Sequence, residues 1–170
     1  MLREQAAGHE LVAKPLFGCQ GEGLLRLAAG EALPDAERFG GVYYLQRFMA
    51  TSGPTWHDWR VFVIGGAAVA AMQRHGCSWI NNVARGARCQ PVELDAAFAG
   101  LAEAAVAALH MDYAGVDIMR DADGRATILE VNSIPAWSGL QSVCEVDIAG
   151  LLAADVMQKA AERTRLRAAG

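Results

Sequence analysis

The chain has 170 residues, 53% hydrophobic and 20% charged, which is enough apolar material for a buried core and excludes a disordered chain. Its 15 basic and 19 acidic residues give a net charge of −4, without the basic surplus that nucleic-acid binding calls for. No apolar run reaches the roughly 20 residues of a membrane helix. The charged start Met1-Leu-Arg-Glu-Gln lacks a signal-peptide apolar stretch, and the four cysteines lack metal-finger spacing. The expectation is a cytoplasmic protein with reduced thiols and with neither nucleic acid nor membrane as a partner.

In chain order, Leu11–Lys14 is expected as a strand stopped by Pro15, followed by a glycine-rich loop. Val42–Phe48 is a second strand, and Ala50–His57, with Thr51, Ser52, Gly53 and Pro54, a loop. Trp59–Ile64 and Ala67–Met72 flank Gly65-Gly66 as a tight hairpin. Glu93–His110 carries Leu94, Phe98, Leu101, Ala105 and Leu109 at helical spacing. Ala114–Arg120 and Ala126–Asn132 are strands around an Asp-Gly turn. Asp147 caps a last helix with the stripe Ile148, Leu151, Leu152 and Val156. This order predicts an α+β fold with largely antiparallel sheet.

The most informative segment is the acidic hairpin. A two-residue turn at Asp123-Gly124 places Asp117 directly opposite Glu130, with Cβ atoms about 5 Å apart. Like charges so placed repel, and a bound cation turns that cost into a gain. Asn132, two residues on, shares the face with Glu130. Two carboxylates and an amide oxygen form a hard-oxygen set of the kind magnesium takes. Acidic hairpins are ordinarily solvated faces, but Ile128, Leu129 and Val131 make this strand apolar. Lys14 adjoins Gly18, Gly21 and Gly23, whose backbone can approach a phosphate; a mobile surface loop is the simpler alternative. Arg60 shares a strand face with Phe62 and Ile64, so it meets either a carboxylate or an anionic ligand.

Together these segments resemble the ATP-grasp superfamily, specifically the RimK-type carboxylate–amine ligases, from about Val12 to Met157. The matching pieces are Val12–Gly21, Leu45-Gln46-Arg47-Phe48, Asp58–Gly65, Trp79–Gly86, Tyr113–Ile118 and Leu129–Pro135. The resemblance implies two α+β lobes gripping ATP, residues 1–48 as the small nucleotide lobe and 49–170 as the large lobe with the metal. It implies that Lys14 contacts the phosphates under the loop bearing Gly18 and Gly21. Gln46, Arg47 and Phe48 then form the adenine hinge, Asp58 lies near the ribose, and Asn81 and Asn82 lie near the triphosphate. Asp117, Glu130 and Asn132 match ligands of Mg2+ or Mn2+, and Arg85 and Arg60 the catalytic cations. The implied reaction joins an amino acid, often glutamate, to a small-molecule or peptide carboxylate through an acyl phosphate. Arg47 stands where relatives usually have glutamate, Ile80 where many have arginine, and Cys19 where a small hydroxyl residue is usual. The family's N-terminal domain has no counterpart in the sequence, so a separate N-terminal domain or a homo-oligomer is the expected partner. The competing expectation is a non-catalytic nucleotide-binding remnant or a subunit of a two-chain ligase.

Overall fold

The structure, a computed structural model, describes residues 7–18, 21–51 and 55–168; Cys19, Gln20 and Ser52–Pro54 lie outside it. Two antiparallel sheets organise the described residues. In the three-stranded sheet, β1 (Leu11–Lys14) runs between β2 (Leu25–Leu27) and β3 (Tyr44–Arg47). Leu11, Ala13, Leu27 and Phe39 form its core. The expected strand over 42–48 is shorter, and β2, at three residues, is too short to show a pattern in sequence.

The larger sheet has the order β6-β5-β4-β7-β8, with β4 (Trp56–Ile64), β5 (Ala67–Gly76), β6 (Arg88–Pro91), β7 (Tyr113–Arg120) and β8 (Ala126–Asn132). The β4–β5 hairpin turns on Gly65 (φ 58°) and Gly66 (φ 83°), with Ile64 opposite Ala67, a two-residue turn with both centres left-handed, where glycine is least strained.

One sheet face packs Val61, Val63, Ala114, Val116 and Ile118 against α1 (Ala96–Ala108). Asp95 caps α1, accepting from the amides of Ala97 and Phe98, so the helix starts three residues later than Glu93. Its buried row is Phe98, Ala102 and Val106; Leu109 at the expected end of the stripe is 52% exposed. The other face buries Phe62, Ile64, Ala70 and Met72 under Leu140 of the short α2 (Ser138–Gln141) and Ile148 of α3 (Ile148–Ala168). Asp147 caps α3 as expected, through the Gly150 amide. The expected α3 stripe is buried only at its start: Leu152 packs, Leu151 is 39% exposed and Val156 63%. Lys159 ties this helix to Asp112 at 2.6 Å and pairs within the helix with Asp155 at 2.8 Å. Among the described residues no helix is long and apolar enough to cross a membrane.

The acidic hairpin departs from expectation in two ways that cancel. Asp121 N donates to Arg125 O, and Asp121 Oδ1 accepts from the amides of Asp123 and Arg125, so three residues, Ala122–Gly124, make the turn rather than two. The register therefore runs Arg120↔Ala126 and Ile118↔Ile128. A bulge then passes over Leu129 and restores Asp117↔Glu130. Phe98→Ala should cost about 3–5 kcal/mol in chemical denaturation, by the cavity it leaves under β4 and β7, whereas Val156→Ala should change stability by less than about 0.5 kcal/mol.

Candidate active site

The strand alternation that buries Phe62 and Met72 also brings Asp58, Arg60, Arg74 and Asp117 to the same face, beyond the apolar cover. Arg60 Nε and Nη2 donate to Asp117 Oδ1 and Oδ2 at 2.7 and 2.8 Å. Arg74 Nη2 reaches Asp117 Oδ2 at 2.8 Å, and Arg74 Nε donates to Asp58 Oδ1 at 2.6 Å. Arg60 Nη2 also lies 3.9 Å from Glu130 Oε1. Carboxylate and guanidinium thus alternate in a row from Asp58 to Glu130. Arg74, 3% exposed, is the member that sequence reasoning missed. The signal was present: Arg74 falls in step with Ala70 and Met72, as Arg60 does with Phe62 and Ile64.

The electrostatics follow from burial. Burial would raise the Asp117 carboxyl, but Arg74 and Arg60 outweigh it and hold the pKa low. Glu130 is pushed up by desolvation and by its neighbour Asp117, with Lys14 and Arg60 opposing. Lys14, partly buried at the end of β1, is lowered by desolvation and held up by the fields of Glu130 and Asp117. Lys14 of one sheet is thus within the electrostatic field of the carboxylates of the other. Lys14, Arg60 and Arg74 balance Asp58, Asp117 and Glu130 in number, so the cluster is neutral as it stands.

Gly21 (φ 72°) packs so tightly that a Cβ there would sit 2.5 Å from Ile80 Cγ2, 3.5 Å from Arg85 Nε and 3.8 Å from Asn82 Nδ2. The loop of Gly18 and Gly21 and the segment 80–85 are thereby brought together. Asn81 Nδ2 donates to the Arg74 carbonyl at 2.8 Å, and the Asn82 carbonyl accepts from Arg85 N at 2.9 Å, closing the turn that presents the exposed Arg85 side chain. Gln46 Nε2 donates to the carbonyl of Leu129 at 3.3 Å, the residue that the bulge skips, and so joins the two sheets. Phe48 meets Trp56 and Trp79 edge-on and carries the Arg26 guanidinium 3.8 Å above its ring. Arg47 is exposed on β3. Asp58, expected near a ribose, is 6% exposed and turned to Arg74.

A divalent cation fits the oxygen donors. Among the described residues no three Cys, His, Asp or Glu side chains converge, so the candidate set is two carboxylates and the Asn132 amide oxygen. Glu130 is half exposed and repelled by Asp117, and a cation between them relieves that repulsion. Asp117 Oδ2 already accepts two N–H groups, which leaves Oδ1, with one, as its open oxygen. Asn132 Oδ1 accepts only the Ile134 amide at 3.0 Å among the described residues and retains a lone pair.

Asp58 generates a pH prediction. Burial raises its carboxyl to about 6 against the opposing pull of Arg74. A carboxyl whose pKa rises on folding contributes stability that is full below its unfolded value near 3.8 and lost as the pH rises through about 6. Relative to an Asp58→Asn variant, the unmodified chain should lose on the order of 2 kcal/mol of unfolding free energy between these pH values in urea titrations.

Residues 6–156 match the model of the RimK-like ATP-grasp domain. The chain is 38% identical over 157 residues to a tetrahydromethanopterin:alpha-L-glutamate ligase of Methanocaldococcus jannaschii, covering 88% of this chain and 54% of that protein. It is 34% identical over 176 residues to a probable alpha-L-glutamate ligase of Thioalkalivibrio sulfidiphilus, covering 99% of this chain and 58% of that one. The chain thus spans about half the length of the curated relatives it matches. The fold is similar to that of the ATP-grasp ligase PsnB complexed with minimal precursor, Mg and ADP, with a TM-score of 0.68 at 23% identity over 92% of this chain and 49% of that one. It is also similar to D-alanine–D-alanine ligase from Bacillus anthracis complexed with ATP, with a TM-score of 0.63 at 19% identity over 96% and 56% of the two chains.

Proposed function

The chain belongs to the RimK-like ATP-grasp family, and from that premise we propose that it is the ATP-gripping part of a ligase. The ligase joins the amine of L-glutamate to a carboxylate of a small molecule or peptide at the expense of ATP. The observation that carries this reading is the Asp117–Glu130 pair, set side by side on β7 and β8 with Arg60 and Arg74 against it. Residues 1–48 act as the small nucleotide lobe and 49–170 as the large one.

A bound Mg2+ or Mn2+ ion supplies Lewis-acid charge to phosphoryl oxygens. Glu130, Asp117 through Oδ1, and Asn132 would hold it. Lys14 takes the phosphate oxygens as a point charge, and the backbone around Gly18 and Gly21 covers them. The segment Gln46-Arg47-Phe48 receives adenine through main-chain groups, with Phe48 fixed by its two tryptophans. Asn81 and Asn82 flank the triphosphate. A carboxylate oxygen of the acceptor bonds to the γ-phosphorus while the bond to the β-bridging oxygen breaks, giving an acyl phosphate and ADP. The glutamate amine then bonds to the acyl carbon, inorganic phosphate departs with the electron pair of the C–O bond, and the amine releases a proton. Arg85, beside the glycine loop, and Arg60 stabilise charge on the transferring group. A cleft of about 560 Å3 lined by Ala136, Trp137, Ser138, Gln141 and Ser142 adjoins Arg60, whose Nη1 lies 3.5 Å from the Ala136 carbonyl. It is the space for the acceptor.

ADP formation should depend on a divalent cation, on L-glutamate and on a carboxylate acceptor. Arg85→Met should keep ATP affinity within a few-fold and lower turnover about a hundredfold, on the order of 3 kcal/mol of transition-state stabilisation. Loss of ATP binding in that variant would move Arg85 to ground-state binding. ATP binding by the unmodified chain without turnover on any acceptor would leave a nucleotide-binding module in place of the ligase.

A further inference from the structure

We propose that Arg74, clamped by Asp58, is the positioning residue that fixes Asp117 for cation binding, and that Arg60 is the counter-ion a bound cation displaces. The inference rests on the reading of Asp117 and Glu130 as cation ligands.

The two arginines on Asp117 are not equivalent. Arg74 is anchored away from the candidate ligands: its Nε is held by Asp58 at 2.6 Å, its backbone carbonyl accepts from Asn81, and its side chain is 4% exposed. Its remaining contact, Nη2 to Asp117 Oδ2 at 2.8 Å, holds one oxygen of that carboxylate in place. Arg60 is held away from the candidate ligands only by a long contact, 3.5 Å from Nη1 to the Ala136 carbonyl, among the described residues. Among the described residues, the carboxylates within 4 Å of it are Asp117 and Glu130, the same two groups a cation would use. Arg60 Nε occupies Oδ1, the oxygen otherwise open. Withdrawal of Arg60 leaves Oδ1 free while Oδ2 stays on Arg74, so the carboxylate keeps its orientation at the moment its charge becomes available. While paired, Arg60 already places Nη1 3.5 Å from the carbonyl of Ala136, a residue lining the 136–142 cleft, so a guanidinium freed from Asp117 has an anionic acceptor group in that cleft as its nearest new counter-ion.

The charges give the two arginines effects of opposite sign. Asp58 and Arg74 form a neutral pair, so removing both alters the field at Asp117 little and removes its orientation. Arg60 is a positive charge competing directly with the cation.

The test is a Mn2+ titration of the chain in the presence of a non-hydrolysable ATP analogue, with free Mn2+ read by electron paramagnetic resonance and compared with the same titration of the analogue without protein. Arg74→Met, and the double variant Asp58→Asn/Arg74→Met that leaves no buried unpaired charge, should weaken Mn2+ binding about 10- to 100-fold. Arg60→Met should bind Mn2+ as tightly as the unmodified chain or several-fold more tightly. Circular dichroism identifies which variants fold, and where Arg74→Met does not, the double variant decides. Unchanged Mn2+ affinity in the double variant, or an equal loss in Arg60→Met, would overturn the inference and leave the ligand assignment standing. Absence of Mn2+ binding by the unmodified chain would overturn the ligand assignment and the inference with it.

Discussion

The burial of Asp117 between two arginines is the constraint on which the rest of the site depends. A carboxylate 4% exposed stays ionised only if cations are brought to it; Arg60 does this from the adjacent β4 and Arg74 from β5, one strand further away. Arg74 in turn requires Asp58. The arrangement follows from antiparallel pairing: Asp58 lies opposite Arg74, and Arg60 opposite Asp117. The apolar half of the same face, Phe62, Met72 and their cover from α2 and α3, holds these strands in that register. The packed core therefore sets the geometry of the charges.

Neutrality has a functional consequence. With three cations facing three carboxylates, the cluster offers no surplus positive charge to a triphosphate. A divalent cation bound with a nucleotide would offset the phosphate charge, and Glu130, Asp117 and Asn132 are the residues that would hold it. The contact of Gln46 with the Leu129 carbonyl joins the three-stranded sheet to the strand that carries Glu130.

Much of this was legible in sequence where a local rule carries the signal. Gly65-Gly66 marks its hairpin, Asp147 its helix start, and the limits of β8 coincide with those expected. The facing of Asp117 and Glu130 was legible for a reason that is locally incorrect. Asp121 captures two turn amides and lengthens the loop by one residue, and the bulge at Leu129 returns the register. The fold conserves the pairing of the charged residues although the turn differs. Arg74 was missed because periodicity was applied to the charged residue of β4 and not to its neighbour strand. Asp58 was read through its resemblance to a ribose contact, whereas its partner comes from a residue 16 positions away that only sheet pairing brings near. A side-chain cap explains the later start of α1, at Asp95, while α3 differs because half of its apolar stripe, Leu151 and Val156, is left exposed.

The central claim is that this neutral, pre-paired cluster takes nucleotide and divalent cation together. Calorimetric titration of the chain with ATP, in excess Mg2+ and again in chelator, tests it most directly. The account predicts that Mg2+ tightens ATP binding at least about tenfold, roughly 1.4 kcal/mol, because Glu130 and Asp117 would hold the cation together with the nucleotide. Equal affinity with and without Mg2+ would contradict it, since the carboxylates would then play no part in holding the nucleotide.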